Sequence, residues 1–290
     1  MSQINVNNVL PLNWNAVNVS GAYVSLVNAS SSLRISNANL AANGTGNTFI
    51  GAGVGANATG SNNTLVGNSS GLVLTSGQDN TFVGQTAGTN TTTGFSNTYI
   101  GQSAAANATT ASGNVVVGDG AGFNISTAIN SVFLGNSTGQ GVSNISGSNL
   151  VCIGAASRPS SATATNEITL GDSSIGALRC AVTSITSLSD ARDKKDVTDL
   201  RAGLDFVKAL RPVEFVWDDR DEDGKHNVSD FGFIAQELKS AQEDANLADV
   251  LKLVYEANPE KLEASYGKLV PILVKAVQEL AAKVEKLEKK

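Results

Sequence analysis

A pentapeptide recurs through much of this 290-residue chain. Asn-Thr-Phe-Ile-Gly ends at Gly51, Asn-Thr-Leu-Val-Gly at Gly67, Asn-Thr-Phe-Val-Gly at Gly84 and Asn-Thr-Tyr-Ile-Gly at Gly101. Asn-Val-Val-Val-Gly ends at Gly118, and looser copies end at Gly135, Gly154 and Gly171. The glycines are 16, 17, 17, 17, 17, 19 and 17 residues apart. So short and regular a period admits few folds. Each copy joins a short run of β-branched and aromatic residues, which favours strand, to a Gly/Ser/Thr/Asn/Ala stretch that supplies turns. Strands of four or five residues cannot hold a sheet alone. Stacked copies can, because each backbone group then pairs with the next coil and one apolar stripe runs down the stack. Frequent Gly and β-branched residues exclude helix here. The in-phase apolar residues separate the segment from a disordered Gly/Ser linker. Eight coils would span about 40 Å.

The two apolar residues before each glycine are adjacent, so they point to opposite faces. A single-chain coil covers one face. A second layer or a neighbouring chain must cover the other, and three chains about a common axis would do so.

Charge divides the chain near residue 188. Charged residues are 16% of the total, against about a quarter in ordinary domains. Residues 1–188 hold three basic residues (Arg34, Arg158, Arg179) and four acidic ones (Asp79, Asp119, Glu167, Asp172). The segment 189–290 holds the other 17 of 20 basic and 22 of 26 acidic residues. A nearly uncharged N-terminal part without Lys or His argues against nucleic-acid binding and against most hydrolase sites there. No run of about 18 apolar residues predicts a membrane span. The opening residues lack the basic and apolar regions of a secretory leader, so none is expected. Cys152 and Cys180 have neither CxxC spacing nor a nearby His, so both are expected as buried free thiols, without metal or cofactor.

Three regions follow: 1–44, an N-terminal cap or attachment region; 45–188, the repeat shaft; and 189–290, a different domain. In the last, Leu204, Val207 and Leu210 predict a short helix ending before Pro212. Val213–Trp217 alternates like a strand, and Phe231–Leu238 leads into a second helix. Asp219, Asp221, Asp223 and Gly224 imitate the start of a calcium loop. The twelfth position is Asp230 rather than Glu and helical flanks are missing, so a solvated hairpin loop is expected. His226, the only histidine, has no second His or Cys partner and reads as a surface residue. Tyr266, Val270, Leu273, Val277, Leu280, Val284 and Leu287 form a heptad seam. Its coiled coil, over about 266–290, requires partner chains, with Pro271 in the first turn or at a kink.

Three motifs carry a resemblance: Ser-Asp-x-Arg-x-Lys at 189–194, Gly-Phe-Ile-Ala-Gln-Glu-Leu at 232–238, and Tyr-Gly-Lys-Leu-Val-Pro-Ile-Leu-Val-Lys-Ala-Val-Gln-Glu-Leu at 266–280. With them, 189–290 resembles the autoprocessing intramolecular chaperone at the C-terminus of phage endosialidase tailspikes and related fibres. The domain also occurs in phage neck appendages and in a membrane-tethered eukaryotic transcription factor. The repeats over about 45–172 resemble the NxxxG-type coils of trimeric bacterial adhesin heads and viral fibres. The resemblance implies a homotrimer and self-cleavage by a Ser–Lys dyad, with Ser189 the nucleophile and Lys194 the general base. Isolated Ser and Lys residues five apart mean nothing; only the surrounding motifs give them a role. A lysine serves as base once burial or a nearby cation favours its neutral form, and Arg192 and Lys195 are candidates for that cation. Asp190 and Arg192 read as structural supports. A serine cannot attack its own carbonyl, so the Leu188–Ser189 bond is the expected cut, with Ser189–Asp190 the alternative if a neighbouring chain contributes.

The expected fold class is therefore an all-β trimeric β-helix or β-roll shaft, followed by an α+β chaperone domain ending in a trimeric coiled coil. The expected function is that of a viral tail fibre or appendage. It would be virion-located after folding in the host cytoplasm, and would meet a host receptor or glycan without nucleic acid, membrane insertion or cofactor. The alternatives are a depolymerase tailspike acting on host polysaccharide and a bacterial trimeric surface adhesin. A depolymerase calls for paired carboxylates, and the shaft has only four, scattered. An adhesin calls for a leader and an anchor. A regulator released by proteolysis is disfavoured by the near-neutral, spanless N-terminal part.

Overall fold

The computed structural model describes residues 44–181, 187–218, 220 and 225–289, and the backbone of 33–35. Its first part is a parallel β-solenoid. Nine strands, one per coil, pair in sequence order: β1 (Leu33–Ile35), β2 (Thr48–Ile50), β3 (Thr64–Val66), β4 (Thr81–Val83), β5 (Thr98–Ile100), β6 (Val115–Val117), β7 (Val132–Leu134), β8 (Leu150–Ile153) and β9 (Glu167–Leu170). The ladder starts at β1, upstream of the first recognised repeat, with Leu33 opposite Thr48.

An inner residue of each strand from β2 to β8 points inward, so Phe49, Leu65, Phe82, Tyr99, Val116, Phe133 and Cys152 stack as one buried column. The Phe82 and Tyr99 rings lie face to face, 4.6 Å apart. Val54, Leu74, Ile125, Ile145 and a set of alanines fill the rest from the turns, so one chain completes its own core. The next residue of each strand faces out. Ile50, Ile100, Ile153 and Leu170 are exposed along that outer row. The two-faced pattern thus resolves into one face covered by the coil itself and one apolar row outside it.

A second column lies beside the first. Asn47, Asn63, Asn80, Asn97 and Asn114 are fully buried. The side-chain oxygen of each accepts the backbone N–H of the next coil's equivalent residue, at 2.8–3.2 Å, ending at Ser131. Each Nδ2 also donates across the coil to a carbonyl, from Asn47 to Gly60 at one end and from Asn114 to Ala128 at the other. An amide suits this place because it offers an acceptor and two donors at once. Ser131 continues the column, its hydroxyl accepting the Leu150 N–H.

The turns explain the composition. The corner one or two residues before each of β2 to β9 is left-handed, at Gly46, Asn62, Asp79, Ser96, Gly113, Asn130, Asn149 and Asn166. Asn, Asp and Gly tolerate that conformation best. The repeat glycine has a second reason: at Gly101 (φ +135°) a Cβ would come within 2.2 Å of the Gly118 carbonyl of the next coil.

The C-terminal region is a small α+β unit. It contains α1 (Leu204–Ala209), the antiparallel pair β10 (Val213–Asp218) and β11 (His226–Gly232), α2 (Ala235–Asp244), α3 (Ala248–Leu251), the short pair β12 (Val254–Tyr255) and β13 (Glu263–Ala264), and α4 (Leu269–Glu288). Phe206, Leu238, Leu253, Leu269 and Ile272 centre its core. The helix expected before Pro212 is α1. Asp219, Asp221, Asp223 and Gly224 lie outside the described residues, but strands rather than helices flank that loop. His226 sits at its edge, its Nδ1 3.1 Å from Asp218.

Two expectations are corrected. Cys152 is buried, its thiol pushed up to about 12 by burial first and by Glu167 second, but Cys180 is exposed. Tyr266 belongs to a 3₁₀ turn (Tyr266–Lys268) rather than to the helix. Its hydroxyl accepts the Phe233 N–H, a bond that holds it out of the helical register. Pro271 falls in the first turn of α4, where its missing N–H costs nothing. No helix among the described residues is long and apolar enough to cross a membrane.

Asn97→Ala should cost roughly 3 kcal/mol or more, since it strips buried partners from Asn80, Ala111 and Asn114 at once. Tyr99→Phe should be neutral or stabilising by about 1 kcal/mol. Its buried hydroxyl has no hydrogen-bond partner. Burial pushes the phenol well above its usual range, and the neighbouring Asn114 amide offsets part of this. Thermal melts of the two variants should therefore move apart.

Candidate functional site

The sequence after the shaft contains Asp190, and that residue builds the local geometry. A carboxylate before a turn can accept the turn's free N–H groups. Asp190 does so, taking the Arg192 backbone N–H at 2.9 Å and capping a 3₁₀ turn over Ala191–Asp193. The Arg192 guanidinium closes back on the same carboxylate through Nε and an Nη at 2.6 Å. Reversal of the chain then returns the next residue to the start. Lys194 Nζ lies 2.6 Å from Ser189 Oγ and 3.0 Å from the Ser189 carbonyl oxygen.

Ser189 and Lys194 are thus brought together across a loop of four residues, 190–193, held by the Asp190–Arg192 pair. The Arg192 guanidinium is paired with Asp190. Both members of the Ser–Lys pair are exposed in the single chain, and Leu188 is fully exposed. The Arg192 side chain, and then its backbone N–H, hold the Asp190 carboxyl below the usual carboxylate range.

The second and third motifs meet each other. A Cβ on Gly232 would come within 2.4 Å of the Tyr266 hydroxyl, so glycine there makes room for the Phe233–Tyr266 hydrogen bond of 3.1 Å. The two rings pack edge to face at 5.8 Å. Glu237 forms a two-pronged ion pair with Arg211. Glu279 of α4 accepts the Leu204 N–H at 2.8 Å and caps α1. These residues build the domain's frame. The spacing alone could not separate that role from a catalytic one.

Helix α4 has two apolar stripes. Leu269, Ile272 and Ala276 are buried in the domain core. Val270, Leu273, Val277, Leu280, Val284 and Leu287 are exposed along the other side. The heptad seam therefore faces away from its own domain.

Residues 189–247 match the family model Peptidase S74, described as the chaperone of endosialidase. The match contains the first two motifs and ends before α4. No curated protein and no solved structure matches the chain. A β-solenoid followed by an endosialidase-chaperone domain fits a protein of the tail-fibre or tailspike type.

The depressed carboxyl of Asp190 has a definite consequence. A carboxyl held below its ordinary value stabilises the turn above that value, near 4, and loses the contribution as pH falls through the depressed one. The Arg192 amide should therefore be protected from exchange at pH 6 and lose protection in acid. Asp190→Ala should lose it at both, as read by amide hydrogen exchange.

Proposed function

We propose that this protein is a viral tail fibre or appendage subunit whose C-terminal domain assembles three chains and then cuts its own peptide link to the shaft. The observation that carries the cutting step is the 2.6 Å contact between Lys194 Nζ and Ser189 Oγ, in a segment matching the chaperone family. Neutral Lys194 takes the Ser189 hydroxyl proton. The oxygen attacks the Leu188 carbonyl carbon, the Leu188–Ser189 C–N bond breaks, and the freed Ser189 amine takes up a proton. The resulting ester between Leu188 and Ser189 is hydrolysed by water, leaving a carboxylate at Leu188 and restoring the Ser189 hydroxyl. Asp190 and Arg192 position the pair. A lysine acts as base only when neutral, which burial favours. Both side chains are open to solvent in one chain, so closing three chains around 188–194 would couple cutting to assembly.

The exposed stripe of α4 and the outer apolar row of the solenoid support the homotrimer. The trimeric coiled coil and the packing of three shafts about one axis belong to this reading, as do attachment to a virion and contact with a host receptor or glycan.

The unmutated protein should yield fragments 1–188 and 189–290, and Ser189→Ala and Lys194→Ala should each leave the chain whole by intact-mass spectrometry. Cutting of Ser189→Ala at the same bond would remove Ser189 from its role. Sedimentation of uncut Ser189→Ala should give close to three times the 29.7 kDa of one chain. A monomer would defeat the trimer.

A further inference from the structure

The solenoid breaks its own rule at its C-terminal end, and both departures face the same neighbour. The coil between Gly135 and Gly154 has 19 residues instead of 17. Charge, scarce elsewhere in the shaft, gathers at Arg158, Glu167 and Asp172. Gly141 of the longer coil and Arg158 line a cleft of about 330 Å³ with Lys261 and Glu263 of the C-terminal domain. Gly141 is left-handed (φ +84°), and a Cβ there would come within 2.6 Å of the Arg158 guanidinium.

Hydrogen bonds cross the junction. Tyr255 Oη donates to Glu167 Oε2 at 3.0 Å, and Asn258 Nδ2 donates to the Ser160 carbonyl at 3.0 Å. The shaft side is arranged for the first. The Glu167 carboxylate is held by the Ser160 N–H at 2.7 Å, the Ser160 hydroxyl at 2.5 Å and the Thr169 hydroxyl at 3.2 Å. The domain side is equally fixed. Leu253 and Val254, just before Tyr255, are buried, and buried Gln242 accepts the Leu253 N–H at 2.9 Å. Asn258 also accepts the Glu260 N–H, which sets its own turn. A repeat protein needs neither charge nor a longer coil to stack. Their placement where another surface meets the stack marks a built interface.

We propose that the last coils of the shaft, 135–171, are a docking surface for the hairpin 254–264. This surface holds the C-terminal domain independently of the backbone link and keeps it bound after that link is cut. The retention depends on the cutting proposed above; the docking surface does not. The junction is also sensitive to pH. Glu263 faces Glu167 and Arg158 of the shaft and Lys261 and Tyr255 of its own hairpin. Burial first, and Glu167 second, raise its carboxyl above the usual range. Burial first, and the bond to Glu167 second, raise the Tyr255 phenol. Both shifts favour the protonated forms, so their contribution to docking is lost as pH rises, from just above 4.5 for Glu263 and from about 10 for Tyr255.

The test uses the full chain with Ser189→Ala and an exogenous protease site inserted after Ala181, so failure of self-cleavage cannot be mistaken for failure of docking. After the external cut, the two fragments should co-elute at pH 6. Tyr255→Phe with Asn258→Asp should weaken their association about tenfold or more. Asn258→Asp keeps the acceptor for the Glu260 N–H while losing the donor to Ser160, and Tyr255→Phe removes one exposed oxygen, so the fold should survive. As a second reading, the Ser160 amide in the uncut chain should exchange faster in the double variant. Fragments that part at once at pH 6, or that stay together equally in the double variant with Ser160 unchanged, would overturn the docking surface.

Discussion

Each coil of this shaft satisfies its hydrogen bonds through its neighbours. The strand residues pair only with the strands above and below, and the buried asparagine of each coil receives the N–H of the next. A single coil would expose its backbone groups and leave a buried amide half-paired, so stability accrues only as coils accumulate. The aromatic column, the glycine contacts and the left-handed corners all presuppose that stacking. The same constraint creates a hazard. Near-identical coils offer near-identical partners, and a slip between them costs little because every position meets the same residue type.

The C-terminal domain is built on the opposite plan. Its contacts are specific and single: Glu279 on the α1 N-terminus, Tyr266 on the Phe233 N–H, Gln242 on the Leu253 N–H. It has its own core and leaves the outer stripe of α4 exposed. A unit with one solution can give register to a unit with many, and joining them in one chain raises the effective concentration of the right partner. The Ser189–Lys194 pair stands at the border between them, in a loop that belongs to neither core. A cut there divides two completed structures, after which the shaft's survival becomes a matter of its unfolding rate.

Much of this was legible in residue order. The glycine period identified the coils, the β-branched runs the strands, and the exposed heptads of α4 the stripe that needs partners. The motif at 189–194 singled out the two side chains that the loop brings into contact. What was not legible depends on three-dimensional closure. The asparagine recurs as regularly as the glycine, but its role requires the next coil's N–H and a carbonyl 14 residues onward to meet one amide. Tyr266 continues the heptad spacing by number, yet its bond to the Phe233 N–H removes it from the helix. The second stripe of α4, through Leu269, Ile272 and Ala276, is hidden because the same helix serves two surfaces. Cys180 follows the last strand, where no further coil covers it, so the usual burial of a free thiol does not apply.

The central claim is that the C-terminal domain supplies the register the repeats cannot supply for themselves. The most direct measurement expresses 1–188 alone and compares it with the same segment produced by self-cleavage of the full chain, by size-exclusion chromatography and thermal melting. The account predicts that the first is aggregated or misassembled and the second soluble with a high melting temperature, because without the C-terminal domain nothing fixes which coil of one chain meets which coil of another. Identical elution and identical melting of the two would contradict it.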